Sequence, residues 1–440
     1  MYRLHNWYIL LFLALSVTTL SWSREKQIAQ GPEFTPTRII LGWTGNPGTS
    51  LAVTWMTGET VPHPQAQLAV ASPNAGFEAS AITLPAECIA IPPEEAGYGQ
   101  HYRVVLKDLE PDTRYVYRVG DGSTWSEWID FKTAGGPTEP FRFLYFGDAQ
   151  NKIKSLWSRS VRAAYRTAPD ARFMVFAGDI LAEGYDDALW EEWWYGMGFI
   201  SAMIPTLPVA GNHDLHRRPD SPNADRVMSV SPLWNAHFTV PSNGPGTPLD
   251  HQSYYFDYQG VRFVFVDVDV YANEDFEPAE RDRVSRMQAD WLEETLKQNP
   301  NLWTIVVQHQ PIFAVAKDRE YAEMRHILEP LYDRYHVDLV LEGHDHVYAR
   351  THKIFEERAV KNSDPGTIYV ISVSGPKMYA LNRRFESLLS KTQMNTQMYQ
   401  IVSIDNKKLD FKAFSIDGTL VDDFQIDKHT SQSLLVERNR

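Results

Sequence analysis

Five short apolar runs in this chain each deliver residues that can bind a metal ion. Residues 141–146 lead into Gly147-Asp148, residues 173–177 into Gly178-Asp179, and residues 207–210 into Gly211-Asn212-His213-Asp214. Residues 304–308 lead into His309, and residues 338–342 into Gly343-His344-Asp345-His346. Asp148, Asp179, Asn212, His309, His344 and His346 offer carboxylate oxygens, an amide oxygen and imidazole nitrogens. That mixed set suits iron, zinc or manganese, with no thiolate to bias the choice. Six protein ligands are too many for one catalytic ion that must also hold water, whereas they suit two ions sharing a bridge. A single Gly-Asp is a common turn dipeptide and carries nothing. Four polar residues that each follow an apolar run and a glycine form a pattern, because a residue without Cβ permits a sharp turn and close backbone approach to an ion.

Residues scattered over two hundred positions meet only if the elements before them run in parallel, since ligands of open α/β sheets bind beyond the carboxyl ends of the strands. After a Gly/Pro-rich linker, Thr133 to Pro140 by composition, apolar runs alternate with helical stretches. Residues 281–299 place Val284, Met287, Trp291, Leu292 and Leu296 on one helical face, and residues 321–335 do the same with Met324, Ile327, Leu328 and Leu331. A closing hairpin is expected over residues 409–426 around Asp417-Gly418. This pattern predicts an α/β domain with its sheets covered by helices, over residues 140–430. Before the linker the period changes to two. Ile39, Leu41 and Trp43 alternate with their neighbours, as do Leu51, Val53 and Trp55, Tyr102, Val104 and Leu106, and Tyr115, Tyr117 and Val119. Short strands with turn residues between them predict an all-β sandwich over residues 36–134.

The whole chain has 440 residues, 43% hydrophobic, with a net charge of −14. The length exceeds what one core usually supports, and the acidity disfavours nucleic acid as a partner, with no run of Lys and Arg to offset it. Arg3, the apolar residues 9–20 and the small residues around Ser23 predict a cleaved signal peptide over residues 1–23. No other stretch reads as a membrane span, so a secreted or periplasmic protein is expected. The single cysteine, Cys88, precludes an intramolecular disulfide, and no Asn-x-Ser/Thr sequon is present.

The series Gly147-Asp148, Gly178-Asp179, Gly211-Asn212-His213-Asp214, His309 and Gly343-His344-Asp345-His346 resembles the calcineurin-like metallophosphoesterase superfamily. The segment from Leu109 to Val119 is similar to a fibronectin type III corner, so the two-domain layout resembles that of the purple acid phosphatases. The resemblance implies an αββα metallophosphoesterase sandwich preceded by an all-β fibronectin III-like domain. It implies two metal ions per chain, with Asp148 and His346 on the first, Asn212, His309 and His344 on the second, and Asp179 bridging. His213 would protonate the leaving group, and metal-activated water would attack a small phosphate ester. The sequence departs from the family pattern at Gln150, where most members have His, and at Ala182, where purple acid phosphatases have Tyr. Gln150 either coordinates through its amide oxygen or hydrogen-bonds a metal-bound water, and without the tyrosine no purple colour is expected.

The remaining candidates read as structural. His216, His237, His251 and His352 lack a motif, Asp267 and Asp269 have nothing that pairs them with the ligand set, and Trp190, Trp193 and Trp194 suit a helix core. Lys377, after the apolar residues 368–373, is a weak candidate for reaching a phosphate. The pocket-shaping loops, about residues 215–252 and 271–280, carry no substrate code. Three functions stay open: a phosphomonoesterase, a nucleotide or phospholipid phosphodiesterase, and an inert binding protein.

Overall fold

The computed structural model describes residues 33–92, 99–217, 226–272, 276–428 and 433–438. The signal-peptide region, residues 1–23, lies outside them, as do parts of both pocket-shaping loops.

The N-terminal part is a sandwich of two antiparallel four-stranded sheets. One has the order Thr37–Gly42, Leu51–Thr57, Gln100–Leu106, Glu87–Ile89, and the other Ile82–Pro85, Gln65–Val70, Arg114–Gly120, Ile129–Lys132. The alternating residues of the sequence form its core: Leu41, Val53, Trp55, Tyr102, Val104, Tyr117 and Val119 are all buried. Two of the strands at the sheet edges were not legible. Ile82–Pro85 and Glu87–Ile89 bury almost nothing, so neither carries the alternation that marks a half-buried strand.

The second part stacks two seven-stranded mixed sheets. The first has the order Thr206–Val209, Met174–Ala177, Phe141–Phe146, Met398–Asp405, Lys408–Ser415, Leu420–Lys428, Ser433–Glu437. The second has the order Tyr254–Tyr258, Val261–Val266, Trp303–Gln308, Leu339–Glu342, Ile368–Ile371, Tyr348–Thr351, Leu389–Gln393. Period-two alternation sorts the side chains of each central strand. Phe143, Tyr145 and Val175 face Phe263, Ile305 and Leu341 between the sheets. Leu144, Phe146 and Met174 face Val161, Ala164 and Trp193 of the helices Ser158–Thr167 and Asp187–Met197. Val264, Val306 and Val340 face Val284, Leu292 and Leu328 of the helices Pro278–Lys297 and Ala322–Arg334. Burial on both faces explains why these strands read as unbroken apolar runs. The first of the two expected helices begins earlier than its apolar face, because Pro278 takes the first turn and the Glu277 side chain accepts from the Glu280 N–H. The expected hairpin around Gly418 forms, with φ of 94° at that glycine.

The two parts share one core. Trp43 packs against Phe173, Phe256 and Tyr258 with centroids 5.2–5.5 Å away, and Tyr117 Oη donates to the Ala202 carbonyl at 2.6 Å. At this junction buried Arg38 forks onto Asp187, at 2.5 and 3.2 Å. These contacts fix the helix Asp187–Met197, which follows the Asp179 loop.

Candidate metal centre

Strands Phe141–Phe146, Met174–Ala177 and Thr206–Val209 run parallel in one sheet, and Trp303–Gln308 and Leu339–Glu342 run parallel in the other. Asp148, Asp179 and Asn212 leave the carboxyl ends of the first three, His309 and His344 those of the other two. The ligand atoms converge in two groups, each within 4.8 Å: Asp179, His309 and His344, and Asp148, Asp179 and His346. Asp179 belongs to both. Its Oδ1 lies 3.2 Å from His309 Nε2, whose ring stands 3.0 Å from His344 Nδ1. Asp148 Oδ1 lies 3.4 Å from His346 Nε2.

The loops that carry these residues are strained and tightly packed. Asp148, Asp179, His344 and His346 all have left-handed φ, between 45° and 68°, a region that side chains other than Gly seldom occupy. The glycines act by close approach. A Cβ on Gly211 would stand 2.5 Å from Asp179 N and Oδ1, and one on Gly343 2.8 Å from Asp148 Oδ2. Two buried carboxylates brace the turns from behind. Asp214 accepts from the Ile180 and Gly211 N–H groups at 3.1 and 3.0 Å, and Asp345 from the Val315 and Ala316 N–H groups at 2.5 and 2.8 Å.

The residues fit a pair of cations. Asp148 Oδ1 and Asn212 Oδ1 are buried acceptors with no hydrogen-bond partner, which is costly unless a cation meets them. Each imidazole is also oriented from outside. His309 Nδ1 donates to the Ala177 carbonyl at 2.8 Å and His346 Nδ1 to the Lys377 carbonyl at 3.1 Å, which leaves each Nε2 facing the cluster. His344 has its Nε2 on Tyr321 Oη at 2.6 Å, with Nδ1 facing inward. Burial, and then neighbouring His309, hold His344 well below the usual histidine range, and burial with Lys377 lowers His346 to about 3. Both rings are therefore neutral, as ligands must be. Burial would lower His309 too, but the charge of Asp179 outweighs it and raises the ring to about 10.

Gln150 lies against this cluster, turned to the shared carboxylate. Its Nε2 donates to Asp179 Oδ2 at 2.5 Å, and its Oε1 accepts from Asn151 Nδ2 at 2.9 Å. His213 is half-buried beside Asp179, its backbone N–H on Asp179 Oδ1 at 2.9 Å and its Nδ1 on the Ala182 carbonyl at 2.7 Å. Position 182 thus supplies a carbonyl to the histidine instead of a phenol to the cluster. Trp190 and Trp193 are wholly buried, and His237 is stacked on Trp190 at 4.2 Å, as core residues. Asp269 is buried and its Oδ1 accepts from Gln310, the residue after His309, at 2.5 Å. Sequence reasoning passed over Tyr321, Arg319 and Tyr379. Arg319 donates to the His344 carbonyl and to Asp345 Oδ1, and Tyr379 meets the His346 ring edge-on at 4.9 Å.

Residues 36–133 match the family described as the N-terminal domain of purple acid phosphatase, and residues 141–348 match calcineurin-like phosphoesterase. An uncharacterized protein of Mycobacterium tuberculosis is 28% identical over 341 residues, 70% of this chain and 61% of that protein. The Fe(3+)-Zn(2+) purple acid phosphatase 12 of Arabidopsis thaliana is 27% identical over 272 residues, 59% of this chain and 53% of that protein. The chain therefore spans only about three fifths of the length of such relatives. A purple acid phosphatase from yellow lupin seeds has the same fold, with a TM-score of 0.73 at 17% identity over 90% of this chain and 75% of that one. With both domains matched in order, this chain belongs to the calcineurin-like metallophosphoesterase superfamily and has the two-domain architecture of the purple acid phosphatases.

Proposed function

We propose that this chain hydrolyses small phosphate monoesters at a pair of metal ions, chosen from iron, zinc and manganese. The observation that carries the proposal is the pair of ligand groups sharing Asp179, each flanked by a buried oxygen without a partner. Asp148, Asp179 and His346 would hold one ion, and Asp179, Asn212, His309 and His344 the other. Bound there, the ions supply Lewis acidity, polarising phosphoryl oxygens and lowering the pKa of water.

The chain's own residues do the rest. Gln150 fixes the rotamer of Asp179 by donating to its Oδ2. His213 is held at its backbone by Asp179 and at Nδ1 by the Ala182 carbonyl, so its Nε2 is the atom left to pass a proton to the departing alkoxide. The metal pair named for the Arabidopsis relative supports iron with zinc. The apolar residues 9–20 support export, which N-terminal sequencing of the mature protein near Arg24 checks.

The test is release of p-nitrophenol from p-nitrophenyl phosphate, with bis(p-nitrophenyl) phosphate alongside to separate monoesters from diesters. Activity is expected to need added metal and to vanish in Asp179→Asn. His213→Ala should lower kcat about 10²- to 10⁴-fold, the span of general acid catalysis. Full activity in Asp179→Asn would place the chemistry elsewhere, and a protein silent with every metal would favour a binding role.

A further inference from the structure

Beside His346, on the rim of the cluster, stands a group of side chains that the hydrolytic reading does not use. The loop after strand Ile368–Ile371 is tied to the Asp148 turn: the Ser374 N–H donates to the Gly147 carbonyl at 2.8 Å, and the Gly375 N–H to the Asp148 carbonyl at 2.9 Å. A Cβ on Gly375 would strike that Asp148 carbonyl at 2.4 Å, so the loop lies flat on the turn and carries Lys377 and Tyr379 to the cluster. The Tyr379 ring is edge-on to His346 and has two cations on it. The Arg319 guanidinium lies 4.9 Å and the Lys377 ammonium 5.4 Å from its centroid.

The two cations differ in how far they are already paired: Lys377, half-buried, has no carboxylate partner among the described residues, while Arg319 keeps only part of its guanidinium free beside its ion pair with buried Asp345. Arg319, 20% exposed, uses Nη1 on Asp345 and the His344 carbonyl; its remaining N–H groups have no partner among the described residues. An aromatic face holds a cation without neutralising it. Lys377 also acts through space on His346, lowering its basicity. Two like charges gathered on one ring repel each other, and the arrangement is favourable when an anion enters between them. Lys377 thus brings a positive charge without a carboxylate partner among the described residues to the cluster's rim, in a chain whose net charge is −14. A guanidinium fork and a mobile ammonium are also the groups that bind phosphate oxygens best.

We propose that Lys377 and Arg319, gathered on Tyr379 beside His346, form a subsite for a second phosphate next to the scissile one. The inference rests on the hydrolytic reading above and names its substrate class: compounds with two linked phosphates are favoured over simple monoesters. Arg319 also positions His344 through its carbonyl, so Lys377 is the residue to vary.

The experiment measures kcat/KM of the metal-loaded full chain for inorganic pyrophosphate and for p-nitrophenyl phosphate, with free metal held constant. Calorimetric titration of pyrophosphate is run in parallel. Lys377→Gln should lower the pyrophosphate-to-monoester ratio about tenfold or more, the scale of a charge-assisted hydrogen bond, and weaken pyrophosphate binding by a similar factor. Lys377→Arg should restore both. A ratio unchanged in Lys377→Gln, or equal losses on the two substrates, overturns the subsite while leaving the hydrolytic reading intact. If the wild type turns over neither substrate, that reading falls and the titration decides the subsite alone. Binding lost in Gln and kept in Arg upholds it, and equal binding in all three proteins overturns it. Should Lys377→Gln not fold, Tyr379→Leu, which frees both cations from the ring, replaces it under the same criteria.

Discussion

Asp148 is fully buried, with Oδ2 on the His344 N–H at 2.6 Å and Oδ1 without a partner, and burial pushes its carboxyl up to about 8. His309, raised by Asp179 to about 10, keeps its proton over the same range. Both groups must lose that proton to become ligands. The sign follows directly. Near neutral pH, loading both ions should release about two protons per chain, and the apparent metal affinity should fall as pH drops through about 10 and more steeply below about 8. Titration calorimetry in buffers of different ionisation enthalpy measures this, and metal uptake without proton release would contradict it. Colour is a second matter decided by single residues. Position 182, where the purple acid phosphatases have tyrosine, is alanine, and the Tyr321 hydroxyl sits on the outward Nε2 of His344. Iron loading should therefore give no intense visible band, and absorption spectroscopy would reveal a phenolate ligand at once if there were one.

At the scale of elements, the site depends on turns that leave the strands within one or two residues. Gly211 shows how little room they have. Its φ lies outside the left-handed set, so its role is contact: the added Cβ of Gly211→Ala meets backbone and ligand atoms that cannot swing aside. That substitution is expected to cost about 1–3 kcal/mol, as overpacking does, and to disturb Asp179 and His309 together. Thermal unfolding with and without metal separates the two effects. The stabilisation that metal gives the wild type should shrink more than the metal-free stability does, and an equal loss in both would reduce Gly211 to a packing residue.

The whole molecule is a single packed unit, since the hydrophobic core runs from the sandwich into the space between the two larger sheets. Arg38 joins the halves from a 3% exposed position, forked on Asp187, itself 6% exposed. Arg38→Ala would leave Asp187 as a buried charge without its fork. The expected loss is about 3–5 kcal/mol in urea unfolding, with one transition retained. Two separated transitions would show that the domains unfold independently. Among the described residues no helix is long and apolar enough to cross a membrane.

The sequence by itself determined the fold class and the candidate ligands. Both come from local rules: apolar runs buried on both faces mark central strands, and a glycine followed by Asp, Asn or His at their ends marks turns that can face an ion. Tertiary structure decided everything that passes between distant segments. That His309 and His344 face each other, that Asp214 and Asp345 brace the turns, and that Tyr321 orients a ligand from outside are contacts across tens of residues with no local pattern. The Gln150 amide illustrates the limit. Its identity was visible as a departure from the family, but its direction was fixed only by Asp179 on one side and Asn151 on the other. Lys377 was a lone cation in the sequence. It became part of a site only when the fold placed Tyr379 and Arg319 around it, because electrostatics depends on distance through space, which spacing along the chain does not fix.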